Sequence, residues 1–123
     1  EQKASLFSIE ERMDMLREMT GSLPGVDVKQ FHGLTVEYAK QIGAIALIRG
    51  LRAISDFEFE MSIAINNQKL NPHVDTVCLM PSEPYLFLSS RQVKEIVRFG
   101  GCVSHYVTPA VEKRLAAKAL TIQ

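Results

Sequence analysis

The sequence predicts an α/β domain built on a parallel sheet with helical crossovers. Three observations carry that prediction. Residues 44–48 and 74–80 are solid apolar runs of strand length, which suit a sheet buried on both faces. Helical patterns stand between and after those runs. Strands that alternate with helices favour a parallel sheet with right-handed connections. In such sheets ligands bind beyond the carboxyl ends of the strands, so the chemistry is expected just after Phe31, Ile48 and Met80.

The elements follow in order. Residues 8–20 read as a helix, opened by the S-x-x-E capping box of Ser8 and Glu11. Ile9, Met13, Leu16 and Met19 supply its apolar face, and Gly21 and Pro24 end it. Alternation over residues 26–31 predicts a short strand. Residues 35–42 form a second helix, stopped at Gly43. A third spans residues 55–70, with a second capping box in Ser55 and Glu58 and with Phe57, Met61 and Ala64 toward the core. Asn71 and Pro72 end it. A fourth starts at Ser89 or Ser90, where Ser89 and Gln92 also fit a capping box, and stops at Gly100 and Gly101. The last begins near Pro109, because proline suits a first helical turn.

Bulk properties narrow the function. The 123 residues point to one domain, with 46% hydrophobic and 23% charged residues in the ordinary globular range. Fourteen basic and fourteen acidic side chains cancel, which argues against nucleic acid or an anionic membrane as partner. Any anion site must be local. No apolar run reaches the ~20 residues of a membrane span, and no signal-peptide pattern opens the chain. Cys78 and Cys102 match no metal spacing; Cys78, within T-V-C-L-M, is expected as a buried free thiol, which suits a reducing cytoplasm. His32, His73 and His105 have no partner at ligand spacing, so no metal is assigned to protein side chains.

The candidate chemistry sits at two strand ends. After Ile48 come Arg49, Gly50, Leu51 and Arg52. Guanidinium groups are planar, permanently charged forks that suit phosphate, and glycine lets a backbone approach a ligand. Two surface arginines in a turn is the competing account. After Met80, a loop leads to Ser89, Ser90 and Arg91 at a helix start, where free backbone N–H groups attract anions. An ordinary helix cap at Ser89 is the alternative, and both roles are compatible. Glu58 and Glu60, two apart, do not share a helix face, so they are no catalytic carboxylate pair. There is no Walker loop, G-x-G-x-x-G or nucleophile elbow. Two arginine-bearing strand ends without an evident nucleophile suggest positioning of a nucleotide's phosphate chain.

The strings "LIRGLRAISDFEFEM", "LMPSEPYLFLSSRQVKEIVRFGG" and "VSHYVTPAVEKRL" resemble the phosphopantetheine adenylyltransferase family of bacterial coenzyme A biosynthesis. "KASLFSIEER" and "GLTVEYAKQIGA" fit the same family in order and spacing, so the resemblance spans essentially the whole chain. It implies a Rossmann-like nucleotidyltransferase fold. It implies adenylyl transfer from ATP to 4′-phosphopantetheine, giving dephospho-coenzyme A and pyrophosphate, with Mg²⁺ carried mainly on the ATP phosphates. Coenzyme A is implied as a further product-like ligand, and a cytoplasmic homohexamer as the assembly.

Residue by residue, Lys3 matches a lysine that contacts the transferring phosphates and the pantetheine phosphate, and is implied to be catalytic together with Arg52. Thr35 and Arg49 match phosphopantetheine-binding positions. Gly50, Leu51 and Arg52 match an ATP-binding strip, and Glu60 an acidic ATP-site position. Tyr85, Leu86, Phe87, Leu88, Ser89, Ser90 and Arg91 match the nucleotide-binding loop and helix start; many members carry serine where Arg91 stands. Phe59 replaces a common tyrosine. The family's Gly-x-x-Asp-Pro-x-x-x-Gly-His loop has no counterpart. The expectation is therefore a single nucleotidyltransferase domain over residues 1–123 that lacks its first two strands and first helix and belongs to a longer natural chain. The competing readings are a fragment or degenerate member that only binds nucleotide or coenzyme A, and a nucleotidyltransferase with another acceptor.

Overall fold

The computed structural model describes residues 5–119, with helix α1 over Ile9–Thr20, α2 over Thr35–Gln41, strand β1 over Ala46–Gly50, α3 over Ile54–Leu70, β2 over Asp75–Leu79, a 3-10 turn over Glu83–Tyr85, α4 over Ser90–Arg98 and α5 over Pro109–Ala119. These fall into two compact units: residues up to Gln30 with those from Ser89 onward, and Phe31–Leu88 between them.

The first unit is helical. Ser8 caps α1 as the sequence predicts: its hydroxyl accepts from the Glu11 N–H at 3.2 Å, and the Glu11 carboxylate accepts from the Ser8 N–H at 2.8 Å. α1 and α4 both pack on α5, with Met15, Val93, Val103 and Leu115 as the buried apolar residues. The buried residue of α1 is Met15, whereas Ile9, Leu16 and Met19 are exposed, so the apolar face lies off the expected stripe. Lys118 reaches Glu11 at 3.0 Å and Arg114 reaches Glu18 at 3.3 Å, two part-exposed pairs between α5 and α1 that add little beyond orientation. Gly100, at φ 75°, allows the chain to leave α4 in the left-handed conformation.

The second unit holds the sheet. β1 and β2 run parallel, with Ala46 opposite Asp75 and Gly50 opposite Leu79. Two further bonds extend the ladder, from the Asp75 N–H to the Ile45 carbonyl at 3.0 Å and from the Leu51 N–H to the Leu79 carbonyl at 2.9 Å. α2 ends at Gln41, and Gly43 at φ 69° turns the chain toward β1. Val36, Ala39 and Val74 are buried, and α3 lies against β2.

Several expectations need correction. Residues 26–31 form no strand, because a strand requires a ladder partner and the described sheet pairs only β1 with β2. The apolar runs are not buried on both faces: Ile48 is 71% exposed, and Val77 and Leu79 on the same face are also exposed. Cys78 is exposed rather than buried. Phe57 and Met61 are about half exposed, outside the core. α3 starts at Ile54 with Ala53 as its N-cap, so Ser55 stands inside the helix rather than at the cap position expected of it.

Candidate phosphate-handling site

β1 carries Arg49 to its carboxyl end, and the chain leaves the sheet through Gly50, Leu51 and Arg52 before α3 begins. Gly50 has no positive φ, and a Cβ built on it meets no atom within 4 Å. Neither backbone conformation nor protein packing demands glycine there. Absence of a side chain keeps the backbone approachable from open space.

The two arginines are each held by a carboxylate on α3. Arg49 forms a two-pronged pair with Glu60, Nε donating to Oε2 at 2.6 Å and Nη2 to Oε1 at 2.7 Å. This fork-on-carboxylate geometry is the strongest that arginine makes with an acid. The Glu60 side chain is 11% exposed, whereas that of Arg49 is 44% exposed. The guanidinium hydrogen bonds hold the Glu60 carboxyl below its ordinary range despite its burial, and the same bonds raise the Arg49 guanidinium.

Arg52 pairs with Asp56. Its Nε donates to Asp56 Oδ2 at 3.0 Å, and its backbone N–H donates to the same oxygen at 3.2 Å. These bonds lower the Asp56 carboxyl below its usual value. Arg52 Nη1 also donates to the Leu88 carbonyl at 2.7 Å, which ties the strand-end turn to the far end of the loop after β2. Asp56 and Glu60 stand four apart on α3, one above the other on one helix face. The acid-rich start of α3 is thus the counterpart of the two arginines.

Leu51, Arg52, Ala53 and Phe57 join Met80, Leu86 and Phe87 around an open, mainly apolar pocket of about 760 Å³. Met80 and Phe87 project strongly into the open, at 84% and 78% exposure. Tyr85 closes the 3-10 turn beside this pocket and is half exposed. Thr35 stands exposed at the first position of α2.

In the helical unit, Ser89 caps α4 as expected. Its hydroxyl accepts from the Gln92 N–H at 3.2 Å, and the Gln92 side chain accepts from the Ser89 N–H at 3.1 Å. Ser90 and Arg91 are exposed in the first turn of that helix. Lys3 lies outside the described residues. The structure therefore brings together Arg49 with Glu60 and Arg52 with Leu88. Asp56 escaped the sequence reading, although its spacing was informative: it lies four residues after Arg52 and four before Glu60.

A cytidylyltransferase-like family model matches residues 1–96, which include the arginine strip, both α3 carboxylates and the start of α4. The chain is 53% identical over 116 residues to the phosphopantetheine adenylyltransferase of Caldanaerobacter subterraneus subsp. tengcongensis, covering 94% of this chain and 72% of that relative. It is also 53% identical over 116 residues to the phosphopantetheine adenylyltransferase of Desulforudis audaxviator, covering 94% of this chain and 71% of that relative. The chain belongs to the phosphopantetheine adenylyltransferase family. The parallel β1–β2 pair with its helical crossover is the mixed α/β core expected of such a nucleotidyltransferase.

Among the described residues no group of three or more His, Cys, Asp or Glu side chains is placed to hold a metal ion. The two carboxylates beside the arginine strip are already engaged by guanidinium groups. Among the described residues there is thus no ready protein cage for Mg²⁺, and no helix is long and apolar enough to cross a membrane.

Proposed function

We propose that this chain serves adenylyl transfer from ATP to 4′-phosphopantetheine, yielding dephospho-coenzyme A and pyrophosphate. The observation that carries the reading is the Arg-Gly-Leu-Arg turn at the carboxyl end of β1, with each guanidinium pre-oriented by its own carboxylate on α3. Kinship to relatives of that name supplies the substrates.

In this reaction an oxygen of the phosphopantetheine phosphate attacks the α-phosphorus of ATP. The bond from that phosphorus to the oxygen bridging the α- and β-phosphates breaks, and pyrophosphate leaves with the electron pair. A phosphate monoester is already ionised near neutral pH, so no general base is required. The protein's part is positioning and charge stabilisation. Arg52 and Lys3 offset charge on the transferring phosphates. Arg49 and Thr35 hold the attacking phosphopantetheine. Gly50 and Leu51 admit ATP against the backbone, and the match of Tyr85, Leu86, Phe87, Leu88, Ser89, Ser90 and Arg91 to the family's nucleotide-binding positions assigns them to the same ligand. Mg²⁺ would be held mainly by the ATP phosphates, where it would offset their charge. Coenzyme A occupies the same site as a product-like ligand, and the working form is a cytoplasmic homohexamer.

Pyrophosphate release that depends on both ATP and phosphopantetheine, with dephospho-coenzyme A identified by mass, is the expected result. ATP binding by calorimetry without pyrophosphate release would instead favour a binding-only protein. Faster release with a different phosphorylated acceptor would reassign the substrate.

A further inference from the structure

We propose that Phe31 and Tyr38 are positioning residues for the acceptor substrate: their stacked rings hold the turn over residues 32–34 and thereby set Thr35 toward phosphopantetheine. The proposal rests on the adenylyl-transfer reading, which assigns Thr35 to that substrate.

The stack stands where a helix cap is weak. α2 begins with Leu34 at its N-cap, a residue whose side chain has no acceptor for the first helical N–H groups. The rings of Phe31 and Tyr38 lie across that start, with centroids 4.5 Å apart and planes 3° from parallel. Tyr38 is the fourth residue of α2, and Phe31 stands three residues before the N-cap. The contact works as a hydrophobic staple does, reaching two residues further back along the chain than the usual one. Gly33, at φ 95°, makes the turn between the rings. The Tyr38 N–H donates to the Leu34 carbonyl at 3.1 Å, which closes the first turn beneath the stack.

Thr35 lies inside this closed segment. It is the first residue of α2, exposed, and three residues before Tyr38, so the two are neighbours on the helix surface. Val36 and Ala39, at 0% and 2% exposure, seat the body of α2 in the core. Burial thus fixes the helix, and the stack fixes what burial leaves open, the exposed turn that leads into it. A turn held before substrate arrives lowers the ordering cost of binding. Arg49, the other acceptor-side residue, is oriented by Glu60 and does not depend on the rings.

The test is steady-state kinetics on the full chain with Phe31→Leu, Tyr38→Leu, Tyr38→Phe and Thr35→Ala. Leucine keeps apolar bulk and removes the flat ring, whereas Tyr38→Phe keeps the ring. Each leucine variant is expected to raise KM for phosphopantetheine about threefold to tenfold, the coupling of an aromatic pair read as an equilibrium, while KM for ATP stays within about twofold. Tyr38→Phe is expected to match wild type. With Thr35→Ala already present, Tyr38→Leu is expected to add no further increase. ATP titration by calorimetry reports the folded nucleotide site independently of turnover.

Loss of ATP binding or an equal rise in both KM values in the leucine variants overturns the proposal, because the rings are then general scaffold. An effect of Phe31→Leu without one of Tyr38→Leu also overturns it, because Phe31, 38% exposed, then meets substrate by itself. So does a full effect of Tyr38→Leu on top of Thr35→Ala. If wild type fails to turn over ATP with phosphopantetheine, the functional reading itself falls; normal wild-type turnover with unaffected leucine variants removes the positioning role alone.

Discussion

Arg49 and Glu60 meet through two parallel hydrogen bonds, 2.6 and 2.7 Å long, that join the carboxyl end of β1 to the second turn of α3. The pair therefore belongs to the architecture of the sheet unit as well as to its site. Its acid is shielded and its base reaches solvent, so pairing compensates the burial of Glu60.

A pH dependence follows. Glu60 has a folded-state pKa below its ordinary value, principally through hydrogen bonding to Arg49. A carboxyl depressed on folding contributes stability above its unfolded pKa, about 4.3, and loses it as pH falls through the lower folded value. Urea unfolding of wild type and Glu60→Gln is expected to show the larger stability gap at pH 7. The gap is expected to shrink progressively below pH 4. Asp56 is depressed too, but it is common to both proteins and cancels in the difference. An undiminished gap at pH 3 would contradict the linkage.

Arg52 makes the opposite kind of prediction, large in rate and small in stability. Its side chain is 47% exposed, and its pair with Asp56 joins the turn after β1 to the first turn of α3, a solvent-screened contact that adds little stability. Its bond to the Leu88 carbonyl instead ties the strand-end turn to the end of the loop after β2. Arg52→Ala is expected to lower kcat by about 10²-fold or more, as for loss of a donor to developing charge, with unfolding free energy changed by about 1 kcal/mol or less. Arg52→Lys keeps the charge but loses the fork, and is expected to recover only part of the rate. Pyrophosphate release and urea unfolding measure the two sides.

What was legible in the sequence was local. The boxes Ser8–Glu11 and Ser89–Gln92 form because each closes within one turn. Ser55–Glu58 carries the same signature, but the backbone is already helical at Ile54 and Ala53 takes the cap position. The alternation of residues 26–31 marks strand propensity, but a ladder needs a partner that sequence pattern does not supply. Exposure at Cys78, Phe57 and Ile48 depends on which elements lie opposite, and periodicity carries no such information. The arginine strip was legible from its place after an apolar run. Its pairing with Asp56 and Glu60 required the angle between β1 and α3, which only the folded chain fixes.

Gly50 separates fold from ligand with one methyl group. A Cβ there meets nothing within 4 Å, and the backbone lies outside the positive-φ region. Gly50→Ala is expected to leave stability unchanged or raise it by about 0.5 kcal/mol, through a less flexible unfolded chain. If ATP approaches this backbone, the same methyl group obstructs it, and KM for ATP is expected to rise severalfold. Thermal unfolding and ATP titration on one sample read both effects. Unchanged ATP affinity would remove Gly50 from the nucleotide site without disturbing the fold.

Ser89 and Ser90 are adjacent, yet only Ser89 holds the helix. Its hydroxyl accepts from the Gln92 N–H, and the Gln92 side chain answers at the Ser89 N–H. Ser89→Ala removes an N-cap and is expected to cost about 1 kcal/mol. Ser90 lies within the first turn, exposed, so Ser90→Ala is expected to change stability by less than about 0.5 kcal/mol. If the start of α4 receives the ATP phosphates, Ser90→Ala lowers ATP affinity at constant stability, because a hydroxyl donor is lost beside the helix N–H groups. Ser89→Ala lowers both, because the N–H groups lose their ordered arrangement as the first turn frays. Urea unfolding beside ATP titration distinguishes the two serines; equal stability losses would show that the cap is shared.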